Sequence, residues 1–332
     1  MKQQTLLVAV LTYRRPATLE RGLATMLRHV EKLARDTDRA ISPSIVVVDN
    51  DPAESARSTV IGFHSDLIRY VPEPVPGISA GRNRALDEAA NHDLLVFIDD
   101  DEEPQELWLE PLLDTWRQTR PAAVMGRVVS QFDAELDPWI AAGSFFRRRR
   151  LPTGTVVPVA AAGNLLLDMR QVRKAGVRFN NNFGLSGGED TLFSRLLVRE
   201  GGKILWCDES VATDFVPADR TTRNWVLRRA WSHGNSAALV DIHSAERAMQ
   251  RGVARLMSVF RGILRMCGGS LRFGFGTLMA SHRHQARGLR TAYRGAGMLA
   301  GAIGVAYLEY ARERRSQTWF RRPAVRRPGN SG

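Results

Sequence analysis

Two cysteines, Cys207 and Cys267, stand far apart in 332 residues, which excludes a disulfide framework of the small secreted type. No run of about 18 uninterrupted apolar residues occurs, so no ordinary transmembrane helix is expected. The nearest stretch, residues 295–311, is rich in Gly and Ala and carries Glu309. The N-terminus has one Lys and a short apolar run, without an h-region or small-residue cleavage site. It reads as a first strand, and the cytosol is the expected compartment. After that run there is no G-x-G-x-x-G, and nowhere a G-x-x-x-x-G-K-[ST]. Dinucleotide redox chemistry and P-loop chemistry therefore lack their fingerprints. The histidines show no ligand spacing beside cysteine, so no structural zinc is expected.

Acid is missing from one long tract. None occurs between Glu246 and Glu309. The formal net charge is +12, and it is unevenly spread. Residues 1–220 carry 27 basic and 31 acidic side chains, whereas residues 221–332 carry 20 and 4. All 20 basic residues of the last third are Arg. The total suggests nucleic acid or an anionic membrane. Its distribution suggests a near-neutral domain with a basic extension. The composition, 44% hydrophobic and 25% charged, is that of a globular chain with a sizeable core.

The first hundred residues alternate apolar runs with helical periods. Runs at 6–11, 45–48, 68–71 and 94–98 read as buried parallel strands, and the patterns after Pro16 and over 79–90 read as helices. The class is α/β. Thr12-Tyr13, Asp49 and Asp99–Asp101 fall at the carboxyl ends of three of these strands, where open α/β sheets bind ligands. Further short strands are expected at 122–130, 163–168, 203–207 and 211–216, and a helix at 189–200.

Four constellations could carry chemistry. An apolar strand delivers Asp99-Asp100-Asp101 to one turn. Three adjacent carboxylates are costly unless a cation offsets them, and oxygen ligands suit Mg2+ or Mn2+ bridging to phosphate. The blander reading is a solvated acidic turn. Gly187-Gly188-Glu189-Asp190 opens a helix after an Asn/Gly loop. An acid there serves as a general base or merely complements the helix dipole. Gly77–Arg84 could present backbone N–H groups and Arg82 to a diphosphate, or a solvated helix face. Arg228–Asn235 includes Trp231, suited to stack on a sugar or to be buried in a surface helix.

Taken in order, VAVLTYRRPATLERGL, SIVVVDNDP, VPGISAGRNRALDEA, LLVFIDDDEEP, AAGNLLL and FGLSGGEDTLFSRLLVREGGKILW resemble glycosyltransferase family 2, with the GT-A fold, over roughly residues 3–240. The likeness extends to bacterial exopolysaccharide enzymes of the succinoglycan type. It implies that Thr12, Tyr13, Arg15 and Asp49 line the nucleotide pocket, with Arg82 near the base or diphosphate. It implies a D-x-D element in which Asp101, with Asp99, holds Mn2+ or Mg2+, while Asp99 or Asp100 binds ribose. Asp190 becomes the general base of an inverting transfer, and Glu189, Gly188 and Trp231 flank the acceptor. The implied partners are a nucleotide-sugar, UDP by resemblance, and a glycan or polyprenyl-linked acceptor. Q-x-x-R-W, which processive members carry, is absent, so transfer of one sugar is expected. The stretch 212–217 lacks the His of some relatives and offers Asp214 in its place.

Two other classes compete. A sugar-1-phosphate nucleotidyltransferase would have a Gly-rich loop where Thr12–Pro16 stands. A nucleic-acid binder would use the Arg-rich end, but no reader motif is present. The organisation expected is a GT-A domain over 1–220, a basic amphipathic helical extension over 221–315 and a disordered tail over 316–332. Within the extension, residues 253–267 place Val253, Leu256, Phe260, Ile263, Leu264 and Cys267 on one face and Arg251, Arg255, Ser258, Gly262 and Arg265 on the other. That face suits the inner surface of an anionic membrane.

Overall fold

A computed structural model describes residues 3–307. In chain order the elements are β1 (Gln4–Thr12), α1 (Pro16–Arg35), β2 (Ile41–Asp49), α2 (Arg57–Ile61), β3 (Ile68–Pro72), α3 (Ile78–Glu88), β4 (Leu94–Asp99) and β5 (Glu102–Pro104). There follow α4 (Leu109–Thr119), β6 (Ala123–Phe132), α5 (Pro138–Gly143), β7 (Leu165–Asp168), α6 (Met169–Ala175), α7 (Glu189–Arg199) and β8 (Ile204–Val216). The last described helices are α8 (Arg223–His243), α9 (Ala248–Leu278) and α10 (His282–Ala302).

The chain divides into two compact units. One holds residues 3–135, Phe146–Gly184 and Glu189–Ala218; the other holds Leu136–Phe145, Leu185–Gly188 and 219–307. The first unit contains one sheet in the order β3-β2-β1-β4-β7-β6-β8-β5. Strands β1 to β4 are parallel, as their apolar runs imply. The far half is not. β7 runs antiparallel to β4 and β6, and β5 antiparallel to β8, so the sheet is mixed. The two strands expected at 203–207 and 211–216 are one strand, β8, with a bulge where its register against β6 shifts beside Gly126.

Both faces of the sheet are covered. Leu6, Val8 and Val10 point to the core beneath α1 and α4, while Leu7 and Ala9 point to the core shared with α3, α6 and α7. Pro16 opens α1 at a position where its missing N–H costs nothing, and Leu19, Leu23, Met26, Val30 and Leu33 recur on its buried face. Each such fully buried side chain contributes roughly 1.5–3 kcal/mol.

The second unit is helical. Its glycines set the packing distance. A Cβ on Gly297 would lie 2.0 Å from the Trp231 carbonyl oxygen, so α8 and α10 touch backbone to backbone. Asn235, within the Arg228–Asn235 segment, donates to the carbonyls of Gly297 (3.3 Å) and Val305 (2.8 Å) and is structural. On α9, Ser258, Gly262, Gly269 and Gly276 are buried against α10. The sequence reading groups Ser258 and Gly262 with Arg251, Arg255 and Arg265 on a polar face; the structure buries Ser258 and Gly262 and leaves the large apolar residues of the other face exposed. The segment 316–332 and the final arginines lie outside the described residues.

Candidate active site

Hydrogen bonding of parallel strands sets the site. Thr12 pairs with Asp49 across β1 and β2, and Leu11 pairs with Asp99 across β1 and β4. The polar ends of three strands thus lie side by side, as their positions in sequence suggest. Thr12 Oγ1 donates to Asp100 Oδ2 at 2.8 Å. Arg15 Nη1 bridges Asp100 Oδ1 (3.3 Å) and Asp101 Oδ2 (3.0 Å). Tyr13 lies beneath the Arg14 guanidinium, 5.1 Å from ring centroid to cation.

Asp49 is fully buried. Its carboxylate accepts from Asp51 N (3.0 Å), Ala56 N (2.9 Å) and the Tyr70 hydroxyl (3.1 Å), and so closes the loop after β2. Asn50, which the sequence reading did not single out, accepts from Gly77 N at 2.9 Å and donates to the carbonyls of Glu73 and Val75.

The start of α3 differs from expectation. Gly77 has φ of +113°, which only glycine adopts without strain, and its Cα approaches the Gly184 backbone too closely for a Cβ. Ile78 N donates to the Gly184 carbonyl at 3.0 Å. Ile78 N, at the start of α3, is therefore taken by the chain itself. Arg82 does not sit on a solvated face. It is buried, paired with Glu189 and 3.9 Å from Asp99 Oδ1, and its guanidinium lies over the Phe179 ring. Arg84 instead pairs with Glu88 along the helix.

Burial therefore brings Arg82, Asp99 and Glu189 together. Desolvation pushes the Glu189 carboxyl up to about 7, against the pull of Arg82. Its Oε2 is buried without a hydrogen-bond partner. Asp190 is half-buried, and its Oδ1 accepts from Thr191 N at 2.6 Å, which orients the carboxylate at the helix start. Gly187 and Gly188 precede it at φ of +75° and +96°. Trp231 lies on α8, edge-on to Tyr307.

The carboxylate group is larger than the D-x-D element. Glu102 is buried and faces Asp214 across β5 and β8. Arg148 is ion-paired with Asp214 and donates to Ser130 Oγ. Gly163 lies so close that a Cβ there would be 2.7 Å from Glu102 Oε1 and 3.1 Å from Asp99 Oδ2. Desolvation raises Asp99 to about 6, with Asp101 and Asp190 adding to the shift and Arg82 opposing it. Desolvation raises Asp100 to about 7 despite Arg15, and drives Glu102 well above the usual carboxylate range. Crowded acids of this kind gain from a cation. Among the described residues no three His, Cys, Asp or Glu side chains cage a metal by themselves. One or two carboxylates sharing a hydrated ion with substrate phosphates is the usual arrangement for such metals, and Asp101 with Asp99 fits it.

Sequence reasoning assigned no role to Glu102, Arg148, Gly163 or Asn50. Glu102 and Gly163 lie within the quoted segments LLVFIDDDEEP and AAGNLLL. Arg148 sits in an unpatterned loop and could be found only through its contact.

Comparison with known proteins gives the family and the fold. The model of the family "Glycosyl transferase family 2" matches residues 7–175. The succinoglycan biosynthesis protein ExoM of Rhizobium meliloti is 34% identical over 242 residues, covering 69% of this chain and 72% of that protein. The mannosyltransferase PcManGT of Pyrobaculum calidifontis, solved with GDP-Man and Mn2+, superposes with a TM-score of 0.56 at 16% identity over 91% of this chain and 88% of its own. TarS of S. aureus, solved with UDP-GlcNAc, has a TM-score of 0.50 at 14% identity over 89% and 90%. The two solved structures speak for the GT-A fold, and the family match with the bacterial relative speaks for the enzyme class. The chain belongs to glycosyltransferase family 2 and is a glycosyltransferase.

Proposed function

We propose that the enzyme moves one sugar from a nucleotide-diphospho-sugar, UDP by family resemblance, to a hydroxyl of a glycan or lipid-linked acceptor in exopolysaccharide assembly. The observation that carries this reading is the convergence of Thr12, Arg15, Arg82, Asp99, Asp101 and Asp190 around the ends of β1 and β4 and the start of α7. Solved relatives of the same fold bind GDP-Man with Mn2+ or UDP-GlcNAc.

A divalent ion, Mn2+ or Mg2+, held by Asp101 with Asp99 would supply positive charge to the departing diphosphate. Arg15 holds Asp100 and Asp101 in place from the outer side. Asp190 takes the proton of the acceptor hydroxyl as its oxygen attacks the anomeric carbon. The bond from that carbon to the phosphate oxygen breaks, and the nucleotide diphosphate leaves on the opposite face. One displacement inverts the configuration. Glu189 does not serve as base in this scheme, since Arg82 occupies it. It acts with Arg82 as the fixed floor beneath Asp99.

The enzyme works at the inner face of the cell membrane as a peripheral protein in this reading. No helix among the described residues is long and apolar enough to cross a membrane. The deciding experiment is a panel of UDP-, GDP- and dTDP-sugars with Mn2+, scored by thermal shift and by nucleotide release. A ligand that binds only the folded state raises the melting temperature. A panel with no shift and no release for any nucleotide-sugar would overturn the reading.

A further inference from the structure

Helix α9 has 31 residues, about 46 Å at 1.5 Å per residue. One side is a seam of small residues. Gly262, Gly269 and Gly276 recur every seventh position, and a Cβ on any of them would meet α10 at 2.4–2.9 Å. The opposite side is apolar and uncovered. Leu256, Phe260, Leu271 and Leu278 are 71%, 57%, 76% and 86% exposed, and Leu264 and Cys267 share that side. At 100° per residue this face lies about half a turn from the glycine seam, and no charged residue interrupts it. Soluble monomers rarely leave such a strip in water.

The residues that border the strip say what covers it. Arg261, Arg265 and Arg272 line one edge between the strip and the glycine seam, where Arg261 pairs with Asp241 at 3.7 Å, and the tract from 247 to 308 has ten Arg and no acid. A second copy set antiparallel and face to face would bring this Arg edge against itself. An anionic lipid surface complements both features: its acyl region takes the leucines and its headgroups take the arginines.

We infer that the outer face of α9, from Met249 to Leu278, lies flat in the headgroup region of an anionic bilayer, with α10 behind it on the water side of the seam. This rests on the peripheral-membrane reading above and extends it from residues 253–267 to the whole of α9, oriented by its glycine seam against α10. Insertion is shallow, about 5–10 Å, as for interfacial helices. The glycine seam lets the two helices pack with their backbones close together.

The native thiol of Cys267 provides the test, since it lies on the exposed strip while Cys207 is buried. A nitroxide on Cys267 of the full chain is measured by power-saturation EPR with POPC vesicles and with POPC/POPG (7:3) vesicles. The expected result is loss of accessibility to a water-soluble relaxer with POPC/POPG, at a depth below the phosphates. A second measurement is flotation of a Leu256→Asp/Leu271→Asp variant, whose sites are exposed so that its thermal melt stays unchanged; binding should fall at least tenfold. Three results would overturn the inference: a label that stays in water on bound protein, a label already shielded without vesicles, by a second copy or by residues 308–332, or full binding by the variant. Nucleotide-sugar thermal shifts on the same samples report separately on the transferase reading.

Discussion

Arg82 and Glu189, 107 residues apart in sequence, form an ion pair buried on both sides. The pair ties α3 to the start of α7 and places one positive charge beneath Asp99. Removing one partner leaves the other charge buried without compensation, which typically costs about 3–5 kcal/mol. Arg82→Met is therefore expected to lower the melting temperature sharply. Combining Arg82→Met with Glu189→Met should recover much of that loss. A double-mutant cycle by denaturant unfolding measures it; additive losses would contradict the pairing.

Asp190→Asn should reduce kcat by about 100-fold or more while nucleotide-sugar affinity stays near normal, because only the proton acceptor is lost. Asp101→Ala should instead abolish the dependence of transfer on Mn2+ or Mg2+ concentration. Chelation of the wild-type enzyme with EDTA should mimic it, and added Mn2+ should restore activity. Full transfer by either variant would refute the assignment.

Gly163→Ala tests the carboxylate cluster without removing a carboxylate. Its Cβ would press on Glu102 and Asp99. The backbone at Gly163 is not in the left-handed region, so the strain is local to the cluster. A rise in the metal concentration needed for half-maximal activity is expected, with little change in circular dichroism.

Two glycines in the helical unit should respond in opposite directions. Gly297→Ala would drive a Cβ to within 2.0 Å of the Trp231 carbonyl and should destabilise by about 1–3 kcal/mol. Gly268, in the middle of α9, has no atom within 4 Å of its Cβ position, so Gly268→Ala should stabilise by about 0.5–1 kcal/mol. Thermal melts of the two variants decide the matter.

His29 packs edge-on against Trp108, with 5.6 Å between ring centroids. Desolvation holds its imidazole below the ordinary value of 6.5. Below that value the unfolded chain takes up a proton that the folded His29 resists. Its contribution is therefore present above the unfolded value and is lost as pH falls through about 6.5. A His29→Gln variant should show a shallower decline of stability between about pH 7 and 5 than wild type, read from urea midpoints.

The backbone frame of the candidate site is legible in the sequence. Apolar runs of four to six residues closed by Thr12, Asp49 and Asp99 are period-independent signals of buried strands, and parallel pairing places their ends together. The antiparallel half was not legible. β7 and β8 are short or bulged, and their direction depends on which neighbour they pair with. The sequence leaves Arg82 open between a diphosphate-facing residue and a solvated helix face, because the helix alone contains no partner. Glu189 supplies that partner from another segment.

The amino-acid order by itself determined the α/β class, the acidic turn after β4, the acid pair opening α7 and the split between a near-neutral domain and an Arg-rich extension. These rest on local pattern, which needs no knowledge of neighbours. Tertiary structure alone decided that Glu189 is held by Arg82, that Glu102, Asp214 and Arg148 gather beside the acidic turn after β4, and that α9 packs by its glycines and shows its leucines. The reason is physical. An amphipathic pattern has two faces, and which one is buried depends on the surface that meets it. On α9 the closest fit to α10 comes from the glycines, because only they let two helix backbones touch.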